Sequence, residues 1–208
     1  MPYAIVCAGT SWGGLLALRR VLHELGESFT LPVVVIQHRH RDSDGLLADL
    51  LQDCTPRPVG EVEDKEPVVP GRVYVAPANY HLLIDDGHFA LTTDPPVRFS
   101  RPSIDVTFSA AADEYGSGTI GIVLTGANAD GAEGLRRIAD AGGAAIVQDP
   151  DTAESPVMPR AALLAVPEAK RLRLEEIAPY LATLAASGPP RPKPLREART
   201  PEPRPEAR

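Results

Sequence analysis

The chain has 208 residues, 43% of them hydrophobic, and a formal net charge of -7. That length allows one substantial core plus an appendage, and the acidic balance argues against general nucleic-acid binding, which draws its affinity from Lys and Arg neutralising phosphates. No uninterrupted apolar run approaches the ~20 residues that span a bilayer, and the first residues lack the basic lead-in of a secretion signal, so a soluble, cytoplasmic protein without membrane insertion is expected.

In chain order, residues 3–7 read as a buried strand and 13–25 as a leucine-rich amphipathic helix, followed by a strand at 31–37 and a helix at 44–53. A strand at 72–76 precedes two more at 80–84 and 88–92, which flank Asp85-Asp86-Gly87 as a hairpin. After Pro95-Pro96 comes a helix at 103–114 with Ser103 as its cap. A strand at 119–124, a helix at 131–141, a strand at 144–148 and a helix at 175–186 complete the pattern. Short β-branched runs alternating with helices predict an α/β fold: a doubly wound, mostly parallel sheet with helices on both faces and an antiparallel hairpin at its edge.

Residues 1–187 are expected to form the folded domain, and 188–208, rich in Pro, Arg and Glu, a disordered tail. The tail carries six basic residues against three acidic ones, about +3, which leaves near -10 on the remainder. Cys7, in a predicted strand, and Cys54, after a predicted helix, make no CxxC pattern and read as small buried or half-buried thiols. The histidines show neither metal-ligand spacing nor an accompanying carboxylate cluster, so no metal is expected.

Between the first strand and helix, Gly9-Thr10-Ser11-Trp12-Gly13-Gly14 sets a serine on a glycine-bracketed turn. Such a turn permits close approach of a substrate, with helix-terminal N–H groups facing an acyl oxygen. A nucleophilic serine needs a base, and that base an orienting acid. His38 ends the second strand and Asp130 follows the strand at 119–124, so both fall at the carboxyl edge where open α/β sheets gather functional groups. His40, His81 and His88 compete less well for the role of base. Each residue also has a plainer use: Ser11 as cap of the first helix, Asp130 as cap of the helix at 131–141, His38 as partner of a loop group. A nucleotide site is disfavoured, because the turn lacks GxGxxG spacing and a Gly-Lys-Ser/Thr ending. The order Ser, His, Asp also differs from that of α/β-hydrolases.

These residues resemble the catalytic domain of the chemotaxis protein-glutamate methylesterases, the CheB family, over about residues 3–184. The landmarks are Gly9-Thr10-Ser11-Trp12-Gly13-Gly14, Gln37-His38, Val75-Ala76-Pro77, Arg101-Pro102-Ser103-Ile104-Asp105, Leu124-Thr125-Gly126 with Asp130-Gly131-Ala132, and Met158-Pro159-Arg160-Ala161-Ala162. The resemblance implies Ser11 as nucleophile, His38 as general base and then acid, and Asp130 as the carboxylate orienting the imidazole. It implies hydrolysis of glutamate γ-methyl esters on the helical cytoplasmic region of chemoreceptors, with no cofactor. Deamidation of receptor glutamines is open to the same acyl-serine path.

Backbone N–H groups of Trp12 and Ala127 are the candidate oxyanion donors, and Arg101 a candidate substrate contact. The chain departs from the family pattern at Trp12, commonly a small polar residue, and at Ala127-Asn128, commonly methionine then glycine. It departs again at Arg39-His40-Arg41-Asp42, where arginine suits acidic groups beside the scissile ester, with Arg98 and Arg101 adding to this. The chain starts directly on the first strand, without the receiver domain many family members carry, so control by a separate regulatory protein is one expectation. The competing readings are a catalytically weak receptor-binding module that kept the fold, and a hydrolase of small esters or amides.

Overall fold

The structure is a computed structural model that describes residues 3–43 and 45–186. The expected tail at 188–208, the domain boundary at 187 and the expected helix start at Asp44 lie outside the described residues. In chain order the elements are β1 (Ile5–Thr10), α1 (Gly14–Glu24), β2 (Val33–Gln37), α2 (Leu46–Gln52), β3 (Val59–Glu61), β4 (Val73–Val75), β5 (His81–Asp85) and β6 (His88–Thr92). They continue with α3 (Ile104–Tyr115), β7 (Thr119–Val123), α4 (Ala132–Asp140), β8 (Ala144–Gln148), α5 (Val157–Ala165), β9 (Lys170–Leu172) and α6 (Leu174–Ala185).

Seven strands form one sheet in the order β3-β4-β2-β1-β7-β8-β9, every pair parallel. Parallel strands need crossovers, and the intervening helices cover both faces, so the central strands are buried on both sides and carry unbroken apolar runs. β1 shows the consequence: Val6 and Ala8 face the layer of α1, α2 and α6, whereas Ile5 and Cys7 face that of α3, α4 and α5. Burial pushes the Cys7 thiol up to about 12, as befits a small apolar side chain rather than a reactive one.

The chain winds outward from β1 in both directions, so a switch point lies between β1 and β7. Functional groups of open α/β sheets gather there, outside the carboxyl ends of the strands. The register brings two of the expected residues to one level, because Thr10 pairs with Gln37 and the chain then continues into Ser11 and His38.

The expected hairpin forms as β5 and β6, but as a two-stranded sheet of its own rather than an extension of the main sheet's edge. Leu82, Ile84 and Phe89 bury its inner side in the layer of α3, and Phe89 packs tilted on Tyr74 of β4, with ring centroids 4.7 Å apart. The alternating apolar side chains of the hairpin need one covering surface, and the layer of α3 supplies it.

Candidate active site

Ser11 sits one residue beyond β1, and its N–H donates to Thr125 O at 3.0 Å. The same carbonyl accepts Thr10 Oγ1 at 2.7 Å, and Thr125 Oγ1 donates to Trp12 O at 2.9 Å. One threonine beyond β7 thus pins three consecutive residues of the turn. Gly13 caps α1 at φ 77°, a left-handed conformation that favours glycine, and no side chain bonds to the helix end. The capping use of Ser11 is therefore not realised. A Cβ on Gly126 would lie 3.0 Å from Ser11 Cβ and 2.7 Å from Met158 Cε, so the turn packs where only glycine fits unstrained.

Asp130 does not cap α4, whose N-cap is Gly131. Its fully buried carboxylate turns across to α3, where Oδ2 accepts the Ile104 N–H at 2.7 Å and Oδ1 accepts the Asp105 N–H at 3.1 Å and Ser103 Oγ at 2.9 Å. The Ser103 side chain at the N-cap of α3 makes no cap bond, so the expectation that it caps this helix is corrected: Asp130 supplies the acceptors instead. Burial pushes the Asp130 carboxyl up, but the imidazole of His38 and the two α3 N–H groups outweigh it and hold the group below the usual carboxylate range.

His38 Nε2 lies 2.7 Å from Asp130 Oδ2. A buried carboxylate accepts, so Nε2 carries the proton and Nδ1 presents its lone pair. Nδ1 lies 3.4 Å from both Ser100 Oγ and Asn128 Nδ2. Asn128 Oδ1 accepts the Asp130 N–H at 3.0 Å, which aims its amide nitrogen at the imidazole. Among the described residues Ser11 Oγ makes no hydrogen bond, although Ser11 and His38 line the same cleft of about 670 Å³. The structure thus joins His38 to Asp130 and leaves Ser11 beside them.

A second recess of about 390 Å³ is also lined by Ser11 and His38, together with Trp12 and Ala127. Ser11 N–H is committed to Thr125 O and Gly126 N–H to Ser155 O, whereas Trp12 and Ala127 N–H donate to no protein acceptor among the described residues. The two expected donors are thereby brought together.

Arg39, Arg41, Arg98 and Arg101 all line the cleft, and three of them also brace its walls. Arg101 lines the cleft, but its guanidinium donates to Asn79 Oδ1 at 2.6 and 3.2 Å and to the carbonyls of Thr93 and Asp94 at 2.7 and 3.0 Å. It ties the loop after β6 to the cleft wall while still lining the cleft. Arg39 is buried against Glu61 at 2.5 Å and Ala76 O at 2.8 Å, and Arg98 bonds Asp105 at 3.2 Å. His40 and Arg41 alone of that segment's basic groups line the cleft from an exposed position.

Sequence reasoning missed Gln37 as a working residue. Its Nε2 donates to Ser11 O at 2.8 Å and to His38 O at 3.0 Å, bracing the two turns against each other. It also missed Ser100 and Asn128 as neighbours of the imidazole. Asn128 carried a signal, standing two residues before Asp130 where an Asn readily bonds the main chain ahead of it.

The fold and the cleft define a doubly wound α/β protein with a serine, an imidazole and a buried carboxylate gathered at the switch point of a parallel sheet. Residues 6–181 match the family model described as CheB methylesterase. The chain belongs to the CheB methylesterase family.

A relative from Leptospira interrogans is 45% identical over 179 residues, 86% of this chain and 93% of its own length. A protein-glutamate methylesterase/protein-glutamine glutaminase of Carboxydothermus hydrogenoformans is 41% identical over 165 residues, 76% of this chain. Protein-glutamate methylesterase FrzG of Myxococcus xanthus is 38% identical over 167 residues, 78% of this chain. The chain spans 48% and 49% of the length of those last two relatives. The crystal structure of the Thermotoga maritima CheB methylesterase catalytic domain superposes with a TM-score of 0.84 at 32% identity, covering 88% of this chain and all of that one.

Proposed function

We propose that the chain is a cytoplasmic serine hydrolase that removes methyl groups from glutamate γ-methyl esters of chemoreceptors and deamidates receptor glutamines. Family membership and the names of its relatives support the reaction class. The observation that carries the residue assignment is the 2.7 Å contact of His38 Nε2 with Asp130 Oδ2, which leaves Nδ1 as a base facing the cleft that Ser11 lines.

In this reading His38 Nδ1 takes the Ser11 hydroxyl proton as Oγ attacks the ester carbonyl, and Asp130 stabilises the imidazolium that forms. The oxyanion lies between the Trp12 and Ala127 N–H groups, donors that in comparable sites are each worth ~3 kcal/mol of barrier. Collapse breaks the ester C–O bond, and the departing methoxide takes the proton from Nδ1 and leaves as methanol. Water then attacks the acyl-serine, its proton passing to Nδ1 and on to Ser11 Oγ, and the glutamate carboxylate is released. With a glutamine substrate the leaving group is ammonia.

Nδ1 faces Ser100 and Asn128, so Ser11 must rotate toward it, in keeping with catalytic hydrogen bonds that tighten only when substrate binds. A fluorophosphonate probe tests the assignment. Natively folded protein is expected to label at Ser11, with labelling lost in His38→Ala. Failure of the folded protein to label supports a receptor-binding module instead.

A further inference from the structure

Phe99 is exposed as fully as in an isolated chain, at 103%, and it stands at φ 64° next to Arg98 at φ 49°. The two residues form a hairpin turn closed by Val97 N–H to Ser100 O at 3.1 Å and Ser100 N–H to Val97 O at 2.8 Å. Turns with positive φ at both central positions favour Asn-Gly, and a bulky side chain there is an outlier. Arg98 fixes the turn to the body of the protein by bonding Asp105 on α3. Packing does not account for the ring, which is held outward at a conformational cost. Such outliers concentrate where a ligand is gripped.

The turn lines the same cleft as Ser11 and His38. The second recess at Ser11 and His38 is walled by Trp12, 66% exposed, and by Leu16, 69% exposed, four residues on along α1. Ser11 and His38 therefore lie where two rims meet, each carrying an exposed apolar side chain. A helix with side chains is ~10–12 Å across, and a substrate that presents a glutamyl ester from a helix rests on the rims as it lowers that side chain to Ser11. Helix residues three or four positions from the ester are its neighbours on that face. The rims meet those residues.

We propose that Phe99 on one side, and Trp12 with Leu16 on the other, are the contacts by which this protein grips a receptor helix. They recognise apolar side chains three or four residues from the esterified glutamate. This inference rests on the methylesterase reading of the same site and names what that site recognises besides the ester.

The test replaces Phe99 by Asn, which tolerates positive φ and removes the ring, and Leu16 by Gln. In a Ser11→Ala background, the affinity for a methylated cytoplasmic helical fragment of a chemoreceptor is measured by calorimetry. Phe99→Asn is expected to weaken binding at least about ten-fold and Leu16→Gln by less, with melting temperatures equal to or above that of Ser11→Ala alone. In the active enzyme Phe99→Asn raises KM for that fragment, and its effect on a small acetyl ester is at least several-fold smaller. Unchanged affinity, a lowered melting temperature, or an equal loss on both substrates overturns the proposal. If the wild type binds the fragment through Phe99 but releases no methanol, the grip stands and the methylesterase reading fails.

Discussion

Asp130 and Asp105 each cap the helix that begins beside the other. Asp130, next to the start of α4, accepts the first N–H groups of α3. Asp105, in the first turn of α3, accepts Gly131 N–H at 2.9 Å and Gly134 N–H at 2.8 Å at the start of α4. Two helix N-termini with their partial positive charges thus meet two carboxylates, and one of those carboxylates also holds the His38 imidazole. The pair that locks α3 to α4 aims His38.

Asp130→Asn tests both duties at once. The amide presents an NH2 where one oxygen accepted from imidazole or helix N–H groups, so at least one donor loses its partner. Turnover is expected to fall on the order of 10³–10⁴-fold and stability by roughly 1–3 kcal/mol. Steady-state kinetics and urea unfolding check this, and a variant with near wild-type turnover removes Asp130 from the mechanism.

Asp105 gives a pH signature. Burial, and the repulsion of Asp130 beside it, raise its carboxyl above the usual value despite the Gly131 and Gly134 donors. A folded-state value above the unfolded one means that the folded protein binds more protons there. The resulting contribution to stability is complete below the ordinary aspartate range and is lost as pH rises through the raised value. Asp105→Asn keeps an acceptor for the helix N–H groups and removes that titration. Between about pH 4 and neutrality, urea midpoints of the variant are expected to gain on those of the wild type as pH rises. Variant midpoints that fall relative to those of the wild type as pH rises contradict the assignment.

Gln37 braces the main chains of Ser11 and His38 with one amide. Gln37→Met keeps the length and removes both bonds. Because small misplacements of reacting groups are costly, kcat is expected to fall about 10–100-fold with a smaller change in KM. A loss expressed only in KM shows that Gln37 serves substrate binding and not alignment.

Ser100 competes with Ser11 for the Nδ1 lone pair, from 3.4 Å. Ser100→Ala removes that competitor without touching the turn's main-chain bonds, so fluorophosphonate labelling of Ser11 is expected to quicken a few-fold. Slower labelling shows that the Ser100 hydroxyl assists the base.

The central strands were legible because burial on both faces leaves long β-branched runs, as at Val33-Val34-Val35-Ile36. Ser11 and His38 were legible because each directly follows such a run, whereas Asp130 stands seven residues beyond β7. β3 and β9 escaped notice: Val59-Gly60-Glu61 and Lys170-Arg171-Leu172 are short, half-exposed or polar edge strands that exist through pairing with β4 and β8. α5 was not among the expected helices: Pro156 and Pro159 interrupt the helical pattern, although proline fits a first helical turn. The bracing partners of Arg39 and Arg101 were not legible, since Glu61 and Asn79 stand 22 residues away in each case. The reciprocal caps spanning 25 to 29 residues carry no local pattern at all.

The account stands most directly on methanol release from methylated chemoreceptor. The wild-type protein is expected to release it, Ser11→Ala and His38→Ala to release essentially none, and Asp130→Asn to retain a small residue of activity, with all three variants folded by circular dichroism. Equal methanol release by wild type and Ser11→Ala would contradict the account.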